Sequence, residues 1–300
     1  MIEIKRDKEL IRIESIDEVR SRPGFNPNLD PQKHELATII GRYVEPEKVI
    51  CGLSSCHQPH TRGYIVTTKD GQETNIGKDC GKTHFGVDFV DLSRQFDRDI
   101  TEKENRDRLW SFSFQLDKLK ERIHELRSGA HGADWIHNNT RYLVMPNKGL
   151  PEVVSVIGNM IRMRQNTLQV DRQASEEEAA RIEVAQGRKL PRPHYIREDI
   201  ADIEGLEAMY PENDVRELLV KNLESRIKDF EKQNVDILGY TALISWVKWT
   251  QTVEQTLDQA TEAVDYGRRL LNPINLTPFE KVIRDKQEVQ IFRKFLKALS

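Results

Sequence analysis

The spacing of apolar residues divides the chain into two parts of different character. Near the amino terminus, Ile2 and Ile4 and then Ile11 and Ile13 alternate with polar residues, as in short strands that bury one face. From Asp88 onward apolar residues recur every three or four positions, with no glycine or proline before residue 129. We therefore predict a mixed α/β module over residues 1–87 and a helical region over residues 88–300.

The helical region is predicted to form antiparallel coiled-coil arms. One stretch has the alternating three- and four-residue spacing of a coiled-coil seam, at Leu109, Phe112, Leu116, Leu119, Ile123 and Leu126. A continuous helix of about 40 residues would be roughly 60 Å long, which favours a projecting arm. Further helices are predicted from Pro151 through Leu168, from Asp214, over 242–271 and from Thr277. The fold class is thus predominantly α, and the exposed seam favours a homo-oligomer.

The three cysteines lie close together in the sequence, between Cys51 and Cys80. Their odd number argues against a closed disulfide framework, and three histidines, His57, His60 and His84, lie in or just beyond the same window. Cysteine and histidine are the preferred ligands of Zn²⁺. The alternative is that the cysteines are small buried hydrophobic residues.

The segment between these cysteines predicts a β-hairpin followed by a helix. Residues 64–68 and 73–76 are β-prone and flank Asp70-Gly71, a strong turn sequence. Cys80 and His84 are four residues apart, so a helix that begins near Asp79 would place them on one face. The order is therefore two ligands, a hairpin and two more ligands at a helix start.

This arrangement resembles a treble-clef zinc finger over about 35 residues, although the first pair has Cys-x4-Cys spacing in place of the usual Cys-x2-Cys. The first choice of ligands for Zn²⁺ is Cys51, Cys56, Cys80 and His84. The second choice replaces Cys51 with His60. A closed four-ligand site stabilises the fold and leaves no open position for catalysis.

The net charge of the chain and the sequence motifs that it lacks limit the classes of function that fit it. The chain has 32% charged residues and a formal net charge of −3, so it is not a broadly basic nucleic-acid clamp. The phosphate-loop, dinucleotide-binding, nucleophile-elbow and metalloprotease motifs are absent from the sequence. A local basic segment remains at Arg188, Lys189 and Arg192, and the last helix is also basic.

We therefore expect a non-enzymatic zinc-binding protein, an adaptor, scaffold or inhibitor that binds a protein partner. The amino terminus lacks the apolar stretch of a secretory signal, and no segment reads as a membrane span, which favours a cytoplasmic protein. The alternative is a zinc-finger nucleic-acid-binding protein that uses Arg188, Lys189 and Arg192. A third hypothesis is a metal-dependent nuclease in which His60 and His84 act in catalysis.

Overall fold

The computed structural model describes residues 2–6 and 9–299. These fold as two compact units, residues 1–108 and 109–300. Each unit has its own apolar core. The change of sequence character at residue 88 falls inside the first unit, and the structural boundary lies further along the chain.

A five-stranded antiparallel sheet forms most of the first unit. Its elements in chain order are β1 (Ile2–Arg6), β2 (Glu9–Ile13), α1 (Ile16–Arg20), β3 (Leu36–Ile50), β4 (Pro59–Thr68), β5 (Glu73–Gly77) and the greater part of α2 (Lys78–Ser113). The strand order is β2-β1-β3-β4-β5. The predicted strands at the amino terminus are confirmed as β1 and β2, in which Ile2 pairs with Ile13 and Ile4 with Ile11. Ile2 and Ile4 are buried, whereas Ile11 is exposed.

The predicted hairpin is confirmed as β4 and β5. Tyr64 lies opposite Ile76, and Gly71 at the turn has φ +86°, a left-handed conformation that glycine adopts without steric cost. Two loops cover the outer edge of β5. The amide of Asn26 donates to the Glu73 carbonyl, and the amide of Gly52 donates to the Asn75 carbonyl at 2.8 Å. The loop that follows β3 is thereby fixed against β5.

Helices dominate the second unit, and a small sheet is set among them. Its elements are the end of α2, α3 (Leu116–Ser128), α4 (Ala133–Val144), α5 (Pro151–Met163), β6 (Thr167–Gln173), α6 (Glu176–Gln186), β7 (Tyr195–Asp202), a π-helix (Glu217–Ser225), α7 (Arg226–Glu231), α8 (Tyr240–Leu270), α9 (Pro273–Leu276) and α10 (Lys286–Leu299). Strands β6 and β7 pair antiparallel with each other, and α6 connects them along the chain. Within the described ranges, none of the helices has the length and apolar character needed to cross a bilayer.

The predicted 40-residue helix is interrupted. A turn at residues 114–115 separates α2 from α3 within the predicted range. Gly86, two residues before the predicted start at Asp88, has non-helical angles (φ 61°, ψ −136°) and divides α2 at that point. Four seam residues are buried in the core of the second unit: Leu109, Leu116, Leu119 and Ile123. Phe112 packs edge-to-face on Phe230 and Trp249, so residues of later helices cover part of this seam.

Two other helix predictions needed correction. The helix from Pro151 ends at Met163 because Arg164 takes a left-handed conformation with φ 50°, and Leu168 lies in β6. The segment from Thr277 forms a 3₁₀ helix over Thr277–Val282, and the last α-helix begins only at Lys286. The prediction over 242–271 is confirmed by α8.

A buried carboxylate from α10 caps the start of α5. Glu288 is only 3% exposed, and its Oε1 accepts hydrogen bonds from the amides of Glu152 and Val153 at 2.9 and 3.1 Å. The residue before the helix, Leu150, makes no side-chain cap, so Glu288 satisfies amides that otherwise lack partners. Its negative charge also lies at the favourable end of the helix dipole.

We predict that Glu288→Ala lowers the free energy of unfolding of the second unit by about 2–3 kcal/mol, because buried amides lose a charged acceptor. Urea unfolding followed by tryptophan fluorescence measures this directly, since all four tryptophans lie in that unit, at positions 110, 135, 246 and 249. Glu288→Gln keeps an acceptor and should lose less. The control, Gln290→Ala on the exposed side of α10, should change stability by less than about 0.5 kcal/mol. Equal losses for Glu288→Ala and the control would contradict the capping role.

Candidate metal centre

The loop between β3 and β4 and the start of α2 bring the three cysteines together. Cys51 directly follows β3, Cys56 lies in the turn before β4, and Cys80 is in the first turn of α2. The three sulfur atoms lie within 4.8 Å of one another, and the Sγ atoms of Cys56 and Cys80 are 3.1 Å apart. All three are free thiols. The cysteine triad is therefore a group of ligands that can hold a metal ion.

Glycines next to two of the cysteines allow this close approach. A Cβ atom on Gly52 would lie 2.1 Å from Thr74 Oγ1, and one on Gly81 would lie 2.4 Å from the Phe89 ring. The glycine of each Cys-Gly pair thus allows close packing: Gly52 lets the loop after β3 pack on β5, and Gly81 lets the start of α2 pack on the Phe89 ring. The sequence indicates Gly52 as a residue for a tight ligand loop, whereas the role of Gly81 depends on its contact with Phe89 and becomes visible only in the folded chain.

Backbone amides and neighbouring thiols control the ionisation of the triad. Burial raises the pKa of Cys51, and burial with the contact to Cys56 raises the pKa of Cys80 to about 12. Burial also opposes ionisation of Cys56, but hydrogen bonds from the Cys80 thiol and the Gln58 amide outweigh it and lower the Cys56 pKa. Of the three thiols, Cys56 is therefore the one that loses its proton most readily. A divalent cation would displace the remaining thiol protons, since cysteine binds metals as thiolate.

The surroundings of the triad are largely apolar. Cys51 is completely buried, and Cys56 and Cys80 pack against a core cluster that includes Leu53, Ile76 and Phe89. The amides of Leu53 and Gly77 donate hydrogen bonds to the Cys51 sulfur. Amide donors to sulfur stabilise the thiolate form in a site from which water is mostly excluded.

His84 lies beside the triad but outside the group of atoms within 4.8 Å. It is half-buried one helical turn after Cys80, and its Nδ1 is 3.5 Å from the hydroxyl of Ser55, the residue before Cys56. The structure thus brings together three of the four first-choice ligands and leaves His84 adjacent to them.

His60 takes part in a different network. Its Nδ1 lies 3.1 Å from the Gln58 carbonyl, and its Nε2 is within hydrogen-bonding distance of the Tyr43 hydroxyl. Burial lowers the pKa of His60, so the neutral ring donates through Nδ1 and accepts through Nε2. Asn75, which is buried, donates to both the Tyr43 hydroxyl and the Ile50 carbonyl. This network fixes the end of β3 just before Cys51, and the sequence analysis missed Tyr43 and Asn75.

Part of the basic segment at residues 188–192 is paired with carboxylates. Arg192 forms ion pairs with Glu183 at 3.1 Å and Glu176 at 3.7 Å, and Arg188 donates to the Gln186 side chain. Lys189 contributes to lowering the pKa of Glu183. The positive charge of this segment is thus largely balanced within its own helix-and-strand motif.

Comparison with known proteins adds no family to this description. Neither a protein-family model, nor a curated protein, nor a solved structure matches the chain significantly.

We predict that replacing any cysteine of the triad by serine weakens metal binding about a hundredfold. Structural zinc sites with four ligands have apparent binding energies of about 10–16 kcal/mol, or roughly 3 kcal/mol for each ligand. Titration with Co²⁺, followed by competition with Zn²⁺, gives the affinity and shows sulfur ligation through the charge-transfer absorption. Ser54→Ala, in the same loop, is the control and should bind as wild type. Wild-type affinity in Cys51→Ser would remove Cys51 from the ligand set.

Proposed function

We propose that the chain is a non-enzymatic binding protein whose first unit is held together by Zn²⁺ and whose second unit contacts a protein partner. The metal assignment rests on the cysteine triad, in which the loop between β3 and β4 and the start of α2 contribute three free sulfur atoms within 4.8 Å of one another. A soft, tetrahedral ion such as Zn²⁺ suits thiolate ligands at this separation. The knuckle, hairpin and helix order is that of a treble-clef-like finger.

His84 is the fourth ligand in this proposal. It shares a helix face with Cys80, and its side chain already lies next to the loop that carries Cys56. A rotation of its side chain away from Ser55 would bring a ring nitrogen toward the triad. His60 is the less suitable candidate, because both of its ring nitrogens have partners in the Tyr43 and Gln58 network.

The role of the ion is structural. The triad joins the loop between β3 and β4, which carries Cys51 and Cys56, to the start of α2, which carries Cys80, so one ion would cross-link two segments on either side of the β4–β5 hairpin. A site with four protein ligands has no open position for a substrate or activated water. His60, the residue that a nuclease hypothesis would need as a base, is already engaged at both nitrogens.

An apolar surface in the second unit supports the binding of a protein partner. Three large side chains on this surface are exposed: Trp110 by 41%, Phe114 by 83% and Ile237 by 79%. The Trp110 indole donates to Asp236 at 3.1 Å, which brings the end of α2 next to the short 3₁₀ helix at residues 235–237. Burial of a side chain of this size stabilises a complex by about 1.5–3 kcal/mol, so such a patch is typical of an interaction site.

The nucleic-acid hypothesis has weaker support from the charges. Arg192 is paired with two carboxylates, Glu176 and Glu183, and the first turn of α6 adds two more acidic residues, Glu177 and Glu178. A phosphate backbone would meet this negative charge next to Arg188 and Lys189. If the alternative is correct, DNA affinity should fall steeply with salt and should drop further in Arg188→Ala.

We predict that metal removal lowers the stability of the first unit and leaves that of the second unchanged, because their cores are separate. Chelation of the full chain should lower the midpoint of thermal unfolding followed by far-ultraviolet circular dichroism. It should leave the midpoint followed by tryptophan emission unchanged, since no tryptophan lies in residues 1–108. His84→Ala should lower Zn²⁺ affinity at least about tenfold, whereas His60→Ala should lower the stability of the unit without changing the cobalt spectrum. The reverse result would assign His60 as the ligand. An unchanged unfolding midpoint of the first unit after complete zinc loss would contradict a structural role.

We also predict that the Trp110, Phe114 and Ile237 surface contacts another protein chain. A benzophenone amino acid at position 114 should form a photo-cross-link to protein in cells of the source organism. The same group at exposed Glu121 on α3 serves as the control and should not. The mass of the adduct distinguishes a second copy of this chain from a different protein. Equal labelling at the two positions, or no protein adduct, would contradict the proposal.

A further inference from the structure

The three thiols of the triad are not equivalent. Cys56 and Cys80 are both partly exposed and their sulfur atoms are in contact at 3.1 Å. Cys51 has no exposed surface and lies beneath them in the core cluster. An oxidant that reaches the site from solvent therefore meets the Cys56 and Cys80 pair first.

We infer that Cys56 and Cys80 form a site of reversible oxidation by hydroperoxides, with a disulfide bond as the product. One thiolate attacks the terminal peroxide oxygen and becomes a sulfenic acid, while the O–O bond breaks and an alcohol or water leaves. The second thiol loses its proton and its sulfur attacks the sulfenic sulfur, while the S–O bond breaks and the leaving hydroxide takes up that proton to form water. Overall, two thiols and one hydroperoxide give one disulfide, one alcohol and one water molecule.

The backbone around this pair suits the reaction. The turn that carries Cys56 is held by hydrogen bonds from the amides of Cys56 and His57 to the Leu53 carbonyl, at 3.0 and 3.3 Å. Cys80 lies in the first turn of α2. A disulfide has a sulfur separation of about 2.05 Å, so the two sulfur atoms need to approach by only about 1 Å. Side-chain rotation can supply a movement of this size without a change of fold.

The disulfide and the metal ion exclude each other, and this consequence rests on the proposed zinc site. Oxidation would remove two of the three sulfur ligands and leave only Cys51, so Zn²⁺ would be released. A dithiol reductant would regenerate the pair and the site. Bound Zn²⁺ would in turn slow the oxidation, because the sulfur lone pairs are then engaged with the ion.

Mass spectrometry of the full chain tests this inference, because the three cysteines of the triad are all the cysteines in the sequence. Hydrogen peroxide acting on the reduced, metal-free protein should remove two hydrogen atoms and reduce the free thiols from three to one. Peptide mapping of wild type should link the peptides of Cys56 and Cys80. Dithiothreitol should restore three thiols, and zinc-loaded protein should react more slowly.

Variants separate the pairings. Cys51→Ser should still form the disulfide between Cys56 and Cys80. The remaining Cys80 in Cys56→Ser, and the remaining Cys56 in Cys80→Ser, should not form an intramolecular disulfide. Three results would overturn the inference: a disulfide from Cys51 in wild type, a disulfide between chains, or sulfinic acid without a disulfide. Because the peptide map of wild type gives these results, the test holds even if a variant fails to fold. Zinc content of the reduced protein is measured separately. A chain that forms the Cys56–Cys80 disulfide but binds no zinc would support the oxidation site and contradict the proposed zinc site.

Discussion

The packing of three sulfur atoms within 4.8 Å is the constraint on which the first unit depends. Three thiolates at this separation repel one another strongly, and burial increases the free energy of each charge. The raised pKa values of Cys51 and Cys80 express this cost, because two of the three groups keep their protons. A positive ion that replaces the protons, or a covalent bond between two of the sulfur atoms, would remove this repulsion.

The residues around the triad maintain this approach from three directions. Gly52 lets the loop after β3 contact β5, and Gly81 lets α2 contact Phe89. The Asn75 amide ties the Tyr43 hydroxyl to the Ile50 carbonyl, one residue before Cys51. These contacts do not involve the sulfur atoms themselves. They explain why the triad is assembled by the fold of the sheet, which an ion would then reinforce.

Local patterns in the sequence predicted the parts of the fold that depend on local interactions. The β4–β5 hairpin followed from Asp70-Gly71, and α8 followed from a long periodic apolar pattern. The pairing of β6 with β7 was missed because the two strands are separated by α6 and each is half-exposed, so neither has a distinct apolar pattern. The end of α5 was misplaced because the left-handed conformation of Arg164 has no marker in the residue type.

The same limit applies to the metal centre. The short separation of the three cysteines in the sequence predicted the triad, because the type and the position of each ligand can be read from the sequence directly. The choice between His60 and His84 depends on hydrogen bonds to Tyr43, Gln58 and Ser55, which only the folded chain reveals. The non-helical angles at Gly86 divide α2 into a short first segment, which carries Cys80 and His84, and a longer second segment, which carries Trp110. The kink interrupts the helical hydrogen bonding between the two segments, so a rotation of the first segment at the metal centre would not be passed along a continuous helix to Trp110.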